Sequence, residues 1–156
     1  MSLDRHAEAI ATVREFAVRS GAQRVVLLVD PGDGTTATML DCAADGTLAL
    51  TEGEDTQQVP EVVGAAPRPL PDLRPPPASA IAIDPDSGEL EAPLGAIANL
   101  GRAVLGLAQA FGGRSVATAD FATRDPAMPI TIAAREGEPL LLAAGDRRFV
   151  LPEGVV

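Results

Sequence analysis

PLGAIANLGRAVLGLAQAFG, residues 93–112, is the stretch on which the fold turns. Leu94, Ile97, Leu100, Val104, Leu107 and Phe111 recur at helical spacing and form one apolar stripe. Pro93 suits a first helical turn, and Gly112 with Gly113 supplies the stop. The opposite side carries Ala98, Ala103, Leu105, Gly106 and Ala110, broken only by Asn99, Arg102 and Gln109. A helix that is apolar nearly all round is buried on more than one side. One side is expected to pack on a sheet. The other is expected either to close tightly within the chain or to meet a second copy across a two-fold axis. In the second case Ala98, Arg102, Leu105, Gly106 and Gln109 are the candidate dimer interface. Gly95, Gly101 and Gly106 would let another backbone come close, at up to about 1 kcal/mol each relative to alanine.

On the N-terminal side, Leu3–Ser20 reads as an amphipathic helix with Ser2 as its cap, Leu3, Ala7, Ile10, Val13 and Ala17 inward, and Phe16 at the edge. Gly21 fits its C-terminal stop. Arg24–Asp30 (RVVLLVD) is an unbroken apolar run, the pattern of a strand covered on both faces. Pro31–Gly34 is a turn, Thr35–Cys42 a return strand, Thr47–Thr51 a third strand, and Gln57–Val63 a short edge strand. Residues 64–78 form a strap with six prolines between 67 and 77, which forbids a helix and favours polyproline II. Such a segment can be a ligand for a proline-recognition domain or a semi-rigid strap across the end of the sheet; the second is the expectation. Ala80–Asp84 is a strand. Past the central helix, Arg114–Thr123, Pro129–Arg135, Pro139–Ala144 and Arg147–Leu151 form an antiparallel meander. The expected fold is a single α+β domain over residues 1–156, an antiparallel-dominated sheet with an N-terminal helix and a buried central helix. No internal repeat is visible.

Composition narrows the function. The net charge of −10 disfavours nucleic acid and anionic membranes. All 12 basic residues are arginine, so no Schiff-base or P-loop lysine exists. That bias, with abundant alanine, is bacterial-like and GC-rich. Cys42 is the one cysteine, so one chain has no disulfide and no cysteine-based zinc site. No window reaches transmembrane length without a polar break, and no signal-peptide pattern opens the chain, so a cytoplasmic protein is expected.

The order helix, hairpin, helix, meander resembles that of roadblock and longin domains, with a profilin-like layout. The start resembles a GAF domain: an amphipathic helix, a break at Ser20-Gly21-Ala22, a strand ending in Val29-Asp30, and a glycine-rich hairpin. The strap departs from a GAF domain's middle, and no closing helix is expected after Leu151. GAF domains bind small ligands or dimerise, and roadblock domains are dimeric partner-binding modules. The resemblance implies a regulatory or scaffolding role.

Chemical candidates are few. Asp30-Pro-Gly-Asp33-Gly-Thr35-Thr36 compares with the phosphate-binding hairpin of actin-like ATPases, one residue longer, and makes Asp30 and Asp33 the weak metal candidates. The other reading is a turn built of turn residues. Asp41 and Asp45 could join them at one end of the sheet. His6 has no second histidine or motif beside it. Cys42, within a strand, reads as a small buried hydrophobe. Arg102, Arg114, Arg124 and Arg135 could line an anion pocket or make interface ion pairs. The expected function is a non-enzymatic regulatory or protein-interaction domain acting as a homodimer, with no cofactor. The alternatives are a small-ligand sensor with a pocket between sheet and strap, and a carboxylate or metal-dependent enzyme at Asp30–Asp33.

Overall fold

The structure, a computed structural model, describes residues 4–60, 64–84 and 86–150. The expectations for Ser2, Leu3, residues 61–63, Pro85 and Leu151 lie outside them. A single 3₁₀ turn, Asp4–His6, leads into α1 (Ala7–Ser20). Then come β1 (Arg24–Val29), β2 (Thr38–Ala43), β3 (Leu48–Glu52) and β4 (Asp55–Gln58). The strap follows, with a 3₁₀ turn at Ala78–Ala80 and a two-stranded hairpin of β5 (Ala82–Ile83) and β6 (Leu90–Glu91). The central helix is α2 (Leu94–Phe111), and β7 (Val116–Phe121), β8 (Ile130–Arg135), β9 (Leu141–Ala144) and β10 (Arg147–Val150) end the described chain. The fold is α+β. Eight strands form one antiparallel sheet in the order β10-β9-β8-β7-β1-β2-β3-β4.

Both helices pack on the same face of that sheet, α1 on β1 and β2, α2 on β7 and β8. The core lies between. Val25, Leu27, Leu40, Leu48, Leu50, Ile130 and Ile132 are fully buried beneath Ile10, Val13, Val104 and Leu107 of the helices. Phe16, expected at the edge of α1, is a core residue at 2% exposure. The apolar run of β1 is covered on one face only: Val25 and Leu27 are buried, whereas Val26 and Leu28 are half-buried on a face that carries no helix.

The sheet also corrects the expectation of no internal repeat. Adding 92 to each residue number turns one half of the ladder into the other. Arg24↔Ala43 becomes Val116↔Arg135, Thr38↔Glu52 becomes Ile130↔Ala144, and Glu52↔Asp55 becomes Ala144↔Arg147. The β1–β7 ladder maps onto itself, so a pseudo-two-fold axis passes through the pair Val26↔Thr118. The helices follow with one residue less: Val13, Phe16 and Ala17 correspond to Val104, Leu107 and Ala108, and both helices end 91 residues apart, at Ser20 and Phe111. The chain is therefore two α-β4 units, with strap and small hairpin inserted between them. Equivalent turns repeat in detail. Gly53 and Gly145 both adopt positive φ (63° and 59°), and the carboxylates of Asp33 and Asp125 each accept the amide two residues on, at 3.0 Å.

Leu50→Ala and Leu142→Ala remove equivalent, fully buried side chains, and each is expected to cost about 2–5 kcal/mol in urea unfolding. Met39→Ala, on the uncovered face, is expected to cost well under about 1 kcal/mol in the dilute chain.

Candidate interaction surface

Three places carry the residues singled out above. The first is the turn after β1. The Asp30 carboxylate accepts the Gly32 amide at 2.9 Å, and its carbonyl accepts the Arg114 amide at 2.8 Å. The Asp33 carboxylate accepts both the amide and the hydroxyl of Thr35, at 3.0 and 2.6 Å. Those bonds hold the Asp33 carboxyl below its usual pKa, first through the Thr35 hydroxyl. Asp45 and Asp84 build similar turns and are lowered by backbone amides, Asp45 from Thr47 and Asp84 from Asp86. Asp41 lies elsewhere, in a two-pronged ion pair with Arg24 at 2.6 and 2.9 Å. Among the described residues no group of three or more His, Cys, Asp or Glu converges as metal ligands. The turn carboxylates organise backbone. His6 stands 3.6 Å from Glu52. Arg124 donates twice to the Ser79 carbonyl, and Arg135 faces Glu138 at 3.5 Å.

The second place is the far side of α2. The strap crosses the helices here, and its last part, Pro75, Pro76 and Ala78, reaches the end of the sheet beside Phe121 and Ala122. From Leu70 onward its half-buried residues are Leu70, Leu73 and Pro76, spaced by three, which is the period of polyproline II. Pro77 has the matching angles, φ −61° and ψ 146°. The seam formed by Phe16, Arg19, Leu70, Pro71, Leu73 and Ala103 leaves no room for a water molecule. Gly106 lies directly under Pro71: a Cβ there would stand 2.6 Å from the proline ring. Of the candidate dimer residues, Ala98 is buried, Gly106 is covered by the chain's own strap, Leu105 packs against the core, and Arg102 and Gln109 are exposed. Thr12 is the anchor that sequence reading missed. Fully buried on α1, its hydroxyl donates to the Glu8 carbonyl at 2.6 Å and accepts the Arg68 amide at 2.9 Å. A hydroxyl inside an otherwise apolar stripe was the available signal.

The third place is the outer face of the sheet. Strand alternation and register put three rows on it. One is Val150, Leu141, Ala133, Thr118, Val26, Asp41, Ala49, Gln58; beside it run Arg135, Val116, Leu28, Met39, Thr51. The large apolar residues among them connect from Met39 through Leu28 and Val116 towards Leu141 and Val150. Met39, Leu141 and Val150 are 37%, 51% and 62% exposed. The third row is Arg24, Asp120, Thr131, Ala143 and Arg148. The face therefore holds three arginines, Arg24, Arg135 and Arg148, against Asp41 and Asp120, in a chain of net charge −10.

A cavity of about 390 Å³ opens between α1 and the β2–β3 turn, lined by Arg14, Val18, Cys42, Asp45, Thr47 and Val59. It lies away from the strap; between sheet and strap, where the ligand-sensor alternative puts its pocket, a smaller cavity of about 140 Å³ lies among Pro75, Pro76, Ala78, Phe121 and Ala122. Cys42 is 1% exposed, and burial pushes its thiol pKa up, so it is a poor nucleophile. Among the described residues no helix is long and apolar enough to cross a membrane. No family model matches the chain, and no curated protein or solved structure matches it significantly.

Two glycines of α2 separate the effects of propensity and packing. Gly95 has open space where a Cβ would go, so Gly95→Ala is expected to stabilise by up to about 1 kcal/mol. Gly106→Ala is expected to destabilise, because the added carbon meets Pro71. Equal gains in thermal unfolding would mean that the strap is not seated.

Proposed function

We propose that the chain is a non-catalytic interaction domain that pairs with a second copy through the open face of its sheet. The observation that carries this is the combination of apolar side chains and near-neutral charge on that face. A contiguous apolar surface with a polar rim marks an interaction site. Two molecules of net charge −10 repel one another, and this face, with three arginines to two acids, is a place where they can approach without net negative charge on either side. Partner binding and dimerisation are also what the resemblance to roadblock and GAF domains implies. An enzymatic role for Asp30 and Asp33 is not proposed, since their own turns use both carboxylates. The cavity beside Cys42 favours a second reading, a small-ligand sensor.

Native mass spectrometry with light scattering separates these. A bare dimer is expected for the unaltered chain. Met39→Glu with Leu141→Glu is expected to give a folded monomer, whereas Arg102→Glu on α2 leaves the dimer intact. A bare monomer at high protein concentration overturns the proposal. So does a dimer that survives the sheet substitutions and is lost with Arg102→Glu. Extra mass that leaves on activation, of a few hundred daltons, supports the sensor.

A further inference from the structure

We propose that the groove between α1 and α2 is a recognition site for an extended proline-rich segment, and that the strap is a built-in ligand occupying it. This concerns the opposite side of the molecule from the sheet face and stands independently of the dimer.

The groove treats the strap as a peptide-binding site treats a peptide. Polyproline II makes no internal backbone hydrogen bonds, so its carbonyls need donors from outside. Here each helix supplies one: Arg19 of α1 donates to the Pro71 carbonyl at 3.2 Å, and Asn99 of α2 donates to the Arg74 carbonyl at 2.9 Å. Leu70 and Leu73, three residues apart, fill the apolar seam, and Gly106 removes the side chain that would block Pro71. Arg68 reads the polar end. Its guanidinium lies 4.3 Å over the Phe111 ring, bonds Glu8, and donates to the carbonyl of Ala110 in the last turn of α2, where helix polarity favours a cation. The contacts to the groove that order the strap come from side chains, together with one amide, that of Arg68. A segment held this way can exchange with another of the same chemistry, unlike a strand locked into the ladder. The fitting partner is an extended peptide with an arginine, then leucine or proline at every third position. In the closed chain the tethered strap competes at an effective concentration of order millimolar.

The test uses the full chain and a labelled synthetic peptide of residues 65–78, AAPRPLPDLRPPPA, followed by fluorescence anisotropy. Arg68→Ala with Leu70→Ser weakens the strap. That variant is expected to bind the peptide at least tenfold more tightly than the unaltered chain. Adding Arg19→Ala and Asn99→Ala is expected to weaken binding severalfold, with cooperative thermal unfolding retained. A folded strap variant with no gain overturns the proposal, as does a gain that Arg19→Ala and Asn99→Ala leave unchanged. Should the double variant unfold, Arg68→Ala alone, an exposed position, takes its place. Unfolding of that variant too would show the strap to be integral to the fold and would equally overturn the proposal.

Discussion

The pairing of β1 with β7 is the interaction on which the molecule depends. It joins two α-β4 units into one sheet of eight strands, with the axis at Val26↔Thr118. Each unit alone has one helix for four strands, and a sheet must bury an apolar face against another layer. Fusing the units puts α1 and α2 side by side and closes a core of aliphatic side chains with few aromatics. The same arrangement spends both helices on one face. The other face carries no helix, and β1, β2, β7, β9 and β10 present Val26, Leu28, Met39, Val116, Leu141 and Val150 there.

The pairing of helices creates a second need. Two helices lying side by side leave a furrow along their outer contact. Here the inserted strap fills it as a third layer, keyed by Pro71 against Gly106 and tied by Arg68 to both helices. Both glycine and the buried hydroxyl of Thr12 carry a cost in an isolated helix, and both are explained by the segment that lies over them. The strap thus accounts for the apolar second side of α2 within one chain and leaves Arg102 and Gln109 as its wet edge.

Much of this was legible in the sequence. Helical spacing located α2 to within a residue, and the break between the strands expected at 139–144 and 147–151 located the tight turn at 145–146, whereas the turn at 53–54 was hidden because β4 begins at Asp55, two residues before the strand expected from Gln57. The duplication was not legible. Over the paired strands the halves share little beyond Asp33/Asp125, Leu48/Leu140, Leu50/Leu142 and Gly53/Gly145, because a core position fixes burial and rough volume rather than identity. Cys42 and Ala134, or Leu40 and Ile132, are equivalent only once the register is known. The run Val25–Val29 misled for a related reason: in the sequence, apolar residues on a covered face and on an uncovered one read alike. The strap's course was hidden too, since its spacing of three becomes meaningful only beside a groove. Asp30 and Asp33 read as ligands or as turn formers by composition alone, and only hydrogen bonding distinguishes the two roles.

The most direct test of two copies meeting through their sheets is a distance. Cys42 is buried, so a cysteine introduced as Thr118→Cys, at the pseudo-axis, gives one accessible thiol for a spin label. Packed sheets lie about 10 Å apart, so pulsed or continuous-wave electron paramagnetic resonance should find the two labels of a dimer within about 20 Å. A label pair held well beyond that distance, or no dipolar coupling at concentrations where the chain is dimeric, would contradict the account.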